Sequence, residues 1–216
     1  MISVDEARLV IAGQPDYKGV VKSTVDAALQ CVGYQDYGKY DIDTYTEWRK
    51  GTLKPPKPLN CWASVVFWAW QGNGVNTGWC KRYIDAYQAQ VIEYMQKSSV
   101  VTLEKQDVVR AYLLGQLTSE RLALVTSPDA NVTAPIGRTI FFPGRHTGPL
   151  AHVALTLGGN LCVSNWRLPN ATGNEHLRAG YTHIETIAKL ANYVDPQCEI
   201  RITPKPFWEL RMCSSL

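Results

Sequence analysis

The sequence predicts an α+β protein, helical in its N-terminal half and built on an antiparallel sheet in its C-terminal half. Three observations lead there. Apolar residues recur at helical spacing as far as about residue 117. Beyond that point short β-rich runs alternate with Gly, Pro and Asn. Two of those runs are joined by Gly158-Gly159-Asn160, a compact hairpin turn. Helices first and an antiparallel sheet second is an α+β arrangement. With 216 residues, 45% of them hydrophobic and 19% charged, the chain suits one globular domain with an ample core.

Val4 to Ile11 is a short apolar-rich segment closed by Gly13 and Pro15. Val20 to Val32 sets Val21, Val25, Ala28, Leu29 and Val32 at helical spacing, with Gly33 as the stop. A helix-like piece over Asp43 to Lys50 ends at Gly51. Lys54-Pro55-Pro56-Lys57-Pro58 is then a stiff, extended linker, because proline fixes φ and lacks an N–H. It delivers the chain to Asn60-Cys61. Cys61 to Gln71 predicts a short helix, apolar nearly all round and ended by Gly72-Asn73-Gly74. A helix without a polar face belongs inside the protein. Thr77 to Lys97 and Lys105 to Leu117 are amphipathic and read as two further helices. Leu122 to Thr126, Arg138 to Phe142, Ala151 to Leu157, Leu161 to Trp166 and Glu199 to Thr203 read as strands, and Ile184 to Tyr193 as a helix.

Composition removes several function classes. The 22 basic and 19 acidic residues leave a net charge of +3 with no basic run or stripe, so no nucleic-acid partner is expected. The longest apolar run, Cys61 to Trp70, falls far short of the ~20 residues of a membrane span. Met1-Ile2-Ser3-Val4-Asp5-Glu6 lacks the basic start and apolar core of a cleaved signal. The expectation is a soluble protein made in the cytoplasm, with secretion by a specialised system left open. Six cysteines without a C-x-x-C pair or zinc-finger spacing are expected as free thiols. Four scattered histidines, with no His-Glu-x-x-His, give no reason to expect a metal. The chain also lacks a Gly-x-Ser-x-Gly elbow, a phosphate loop and a dinucleotide fingerprint, so no cofactor is expected.

The strongest chemical signal is Leu59-Asn60-Cys61-Trp62-Ala63-Ser64. Asn60 is a favoured N-cap, which sets Cys61 at the first helical position. Unpaired N–H groups and the positive end of the helix dipole favour a thiolate there, and the same N–H groups can hold an oxyanion. A buried structural cysteine is the simpler alternative. The second signal is His152, which opens the strand His152-Val153-Ala154-Leu155-Thr156-Leu157. A histidine at a strand start can meet a helix N-terminus and take the thiol proton. The return strand Leu161-Cys162-Val163-Ser164-Asn165-Trp166 offers a third group to orient the ring: Asn165 by preference, through its amide oxygen, with Ser164 the runner-up. Strand alternation puts these two on opposite faces, so one alone is expected to reach the histidine.

Together these residues resemble the papain-like cysteine hydrolases, especially the NlpC-type peptidases. There a cysteine begins the core helix and a histidine opens a His-Val-small-apolar strand. Ser164-Asn165-Trp166 also resembles, with two residues transposed, the Asn-Ser-Trp of papain-type proteases. The resemblance covers Asn60 to Gln71 and Ala151 to Trp166. The chain departs from the NlpC pattern in having Asn60 where Asp is usual, and Trp62-Ala63 where Ser-Gly is usual. Ser164 stands at the spacing of that family's second histidine, and Tyr45 is a weak candidate for the missing oxyanion donor.

The resemblance implies a single papain-like domain over residues 1–216, with a helical insertion near 77–117. It also implies hydrolysis of an amide bond by a Cys61–His152–Asn165 triad. Its expected partners are a peptide or peptidoglycan-like substrate, a cognate inhibitor or immunity protein, or a host target protein. A host-directed effector protease or a glutamine deamidase fits the same triad. A binding protein that keeps the fold with a dead site is the alternative of another class.

His146 lies in a Gly- and Pro-rich loop suited to flank a cleft, and His176 in a polar loop expected to be solvated. His183 is expected only to pack, as are Trp68 and Trp70, whereas Trp62 and Trp166 stand beside the presumed site.

Overall fold

The computed structural model describes residues 2–33, 61–76, 78–79, 123–125, 131–142, 152–166, 181–194 and 200–209. Among the described residues three helices come first. Helix α1 (Val4–Ala12) starts at Ser3, whose side chain accepts the Glu6 N–H while Glu6 reaches back to the Ser3 backbone. This capping box satisfies two N–H groups that have no partner within the helix. Helix α2 (Gly19–Gln30) buries Thr24, Val25, Ala27, Ala28 and Leu29, and the chain leaves it through Gly33 at φ 88°. Helix α3 (Cys61–Gln71) spans the residues expected for it. Its C-terminal end lies so close to α2 that a side chain at Gly72 would collide with the Thr24 backbone.

The described strands are β1 (Ala123–Val125), β2 (Thr139–Phe142), β3 (His152–Gly158), β4 (Leu161–Trp166), β5 (Tyr181–Thr186) and β6 (Ile200–Ile202). They form one sheet in the order β1-β6-β2-β3-β4-β5, antiparallel at every pairing. The β3–β4 hairpin turns through Gly158 and Gly159, both at positive φ, a conformation that costs glycine nothing. A side chain at Gly158 would also run into Gln14, just beyond α1.

Alternation along the strands divides the core in two. Phe141, Val153, Leu155, Leu157, Leu161, Val163 and Ile184 face α1, α2 and α3. Ile140, Phe142, Ala154, Cys162, Trp166, Ile200 and Ile202 face the other way, where helix α4 (Ile187–Val194) brings Ile187, Leu190 and Ala191. The sheet is thus covered on both faces, and every residue of β2, β3 and β4 is buried.

One element differs from the sequence reading. Ile184 was expected in a helix, but it lies in β5, which pairs with β4 along its whole length from Leu161↔Thr186 to Trp166↔Tyr181. The helix begins at Ile187. The usual apolar signal is missing because the residues facing α4 are polar: His183 and Glu185 are buried, and Glu185 pairs with Lys189 of α4 at 2.9 Å. The expected segments 43–50, 77–97 and 105–117, and with them the helical insertion, lie outside the described residues, apart from 78–79. Among the described residues no helix is long and apolar enough to cross a membrane.

Candidate active site

Cys61 is the first residue of α3, and its side chain is buried in the core between the helices and the sheet. One turn further on is Ser64, a hydroxyl in an otherwise apolar helix. Asn165 of β4 donates from Nδ2 to Ser64 Oγ at 3.0 Å, with both residues about 1% exposed. This bond fixes the first turn of α3, and so Cys61, against the end of β4. Ser64 was not singled out from the sequence. A lone hydroxyl three residues after the cysteine was the available signal.

His152 is the first residue of β3 and is also buried. It lies at the same end of the sheet as Asn165 but on the other face. Val153 next to it faces the helices, so His152 must point away from them. Its ring stacks on Trp166, with centroids 4.3 Å apart and planes 24° apart, and lies 6.0 Å from Phe142. Both neighbours belong to the core on the far side from α3.

The structure therefore does not bring the expected triad together. Cys61 and Asn165 share one face and His152 occupies the other. The preference for Asn165 as the group orienting His152 is corrected by the same alternation: Asn165 turns to α3, and Ser164, the runner-up, is the neighbour on the side of His152. Trp166, beside Asn165 in sequence, stands against His152 on the other face. Asn60, Tyr45, His146 and His176 lie outside the described residues, as do the side chain of Trp62 and the loops 144–149 and 170–180.

The far face carries more polar groups than the sequence disclosed. Ser164 is paired across the ladder with His183, whose Nδ1 donates to the Tyr181 carbonyl at 3.0 Å. Cys162 stands opposite Glu185. Burial, reinforced by the Glu185 carboxylate, pushes the Cys162 thiol far above its ordinary value. The hydrogen bond to Glu185 raises the Lys189 ammonium in turn. Cys31, Cys61 and Cys162 are free thiols. Among the described residues no three His, Cys, Asp or Glu side chains are grouped to hold a metal ion.

Comparisons of the chain with protein-family models, with curated proteins and with solved structures return no match.

Proposed function

We propose that the chain is a cysteine-nucleophile hydrolase of amide bonds, with its site at the end of the sheet where α3 starts, β3 enters and β4 leaves. The observation that carries the reading is the Asn165–Ser64 bond. It seats a helix-starting cysteine within one turn of the strand end that His152 borders. Cys61, its thiol proton passed to His152, would attack the carbonyl carbon, with the N–H groups at the start of α3 holding the oxyanion. The leaving amine would depart with a proton from His152, and water would hydrolyse the thioester.

This chemistry requires the His152 ring to leave Trp166 and come round the first residue of β3. Phe142 is the last partner of that residue in the β2–β3 ladder. The move gives up the stack, worth about 0.5–1.5 kcal/mol beyond the burial of its surface, together with the burial of the ring and its place in the ladder, so the competent arrangement would be a minor state. By the papain-like resemblance, the substrate is a peptide or a cell-wall amide.

The stack favours a second reading, a binding protein that keeps this fold without catalysis. Purified peptidoglycan and a panel of proteins, incubated with wild type and Cys61→Ala, separate the two. Mass spectrometry should find cleavage or the deamidation mass shift with the wild type alone. Products formed by neither protein would favour the second reading, and products formed equally by both would refute Cys61 as the nucleophile.

A further inference from the structure

Where α2 runs beside the C-terminal end of α3, the surface holds an open groove of about 640 Å³, well inside the ~300–1,000 Å³ of small-molecule sites. We propose that this groove binds a neutral oligosaccharide. Trp70, half-buried and stacked on Phe67 at 6.1 Å, supplies an aromatic wall. Gln30, Gln71, Asn73 and Asn76 bring four planar amides around it. Each amide offers donors and an acceptor. Asn76 uses its oxygen to accept the Trp79 N–H at 2.9 Å, which leaves its NH₂ for the groove.

Charge narrows the ligand class. Among the described residues of the lining Asp26 is the charged one, and its carboxylate is already engaged by the Tyr17 hydroxyl and Lys22, each at 2.5 Å, and by Arg8 at 3.8 Å. Its partial burial opposes ionisation, but these donors and charges outweigh it and hold the carboxyl below the usual carboxylate range. The negative charge is thus neutralised from within the protein, and among the described lining residues neither a cation nor an anion finds an uncompensated partner. A pyranose has an apolar C–H face for the indole and a rim of hydroxyls for the amides, which matches what is left.

Asn73 gives the groove its shape. It sits just beyond α3 at φ 61°, the left-handed position at which Asn and Gly are tolerated. Its N–H is bonded back to the Trp70 carbonyl at 3.0 Å and the next N–H to Ala69 at 2.6 Å. Glycine would hold that backbone equally well, so the amide is not needed for the turn.

The test is calorimetric titration of the full chain with three neutral tetrasaccharides: cellotetraose, maltotetraose and tetra-N-acetylchitotetraose. At least one should bind saturably with a Kd of about 1 mM or tighter. Trp70→Ala should weaken it by about tenfold or more, and Trp70→Phe by much less. Asn73→Gly should weaken it several-fold without lowering the melting temperature, and it carries the test should Trp70→Ala fail to fold.

No saturable binding of any of the three at ~10 mM, or binding indifferent to these substitutions, would overturn the proposal. So would uptake of an N-acetylated tetrapeptide amide in place of the sugars. The same titrations on Cys61→Ala keep this result separate from any hydrolysis.

Discussion

The contact that seats α3 on the sheet can be measured by removing each of its two ends. Asn165 and Ser64 are both almost fully buried and bonded at 3.0 Å. Replacing Asn165 by Ala deletes a hydrogen bond whose net worth is about 0.5–1.5 kcal/mol and strips the buried Ser64 hydroxyl of this donor, for a total of roughly 1.5–3 kcal/mol. In a domain of this size each kcal/mol shifts the melting temperature by about 2–4 °C, so Asn165→Ala should lower it by roughly 3–12 °C. Ser64→Ala should cost less, because alanine favours the helix and the change removes only this acceptor from the Asn165 amide. The diagnostic quantity is the coupling. Urea unfolding of wild type, both single variants and the double variant should give an interaction energy of about 1 kcal/mol. Additivity within ~0.3–0.5 kcal/mol would mean that the two side chains do not meet and that Asn165 is free to serve another residue.

Asp26→Asn should lower stability at pH 7 by about 0.5–1 kcal/mol, since the pairs it breaks are partly exposed. The folded carboxyl is held below its ordinary value, so its contribution is present above the unfolded pKa of ~3.9 and fades as pH falls through the lower folded one. Urea midpoints of the two proteins should differ at pH 7 and converge toward pH ~2–3; a difference that stays constant would refute the assignment. Cys162 is buried, with its thiol pushed far up. Iodoacetamide at pH ~8 should therefore leave Cys162 unmodified in the native protein and label it after unfolding in urea, as read by peptide mass spectrometry.

Much of the scaffold was legible because its signals are local. The Gly158-Gly159 turn fixes the hairpin, and Leu161–Trp166 was bounded to the residue. Helix α3 could be read end to end because it is apolar all round and stops at a Gly-Asn-Gly turn. Strand β5 was not legible. Its far side is His183 and Glu185, whose burial depends on Ser164 across the ladder and on Lys189 of α4, and neither relation appears in a local pattern.

For the candidate site, the sequence placed Cys61, His152 and Asn165 on a helix start and two neighbouring strands, and the structure has them there. What it could not supply is the face of the sheet on which α3 packs. The apolar residues Val153, Leu155 and Leu157 alternate with Ala154 and Thr156, and both sets are buried. Local pattern therefore cannot say which set meets the helix, and His152 goes with the set that does not.

The most direct test of the proposed dyad is the rate at which iodoacetamide labels Cys61 at pH 6, in wild type and in His152→Ala, read by peptide mass spectrometry. If His152 comes round the strand end to take the thiol proton, its loss should slow labelling by about tenfold or more, well within what a positioned base supplies. Equal rates in the two proteins would mean that the sheet keeps Cys61 and His152 apart, and would contradict the hydrolase reading.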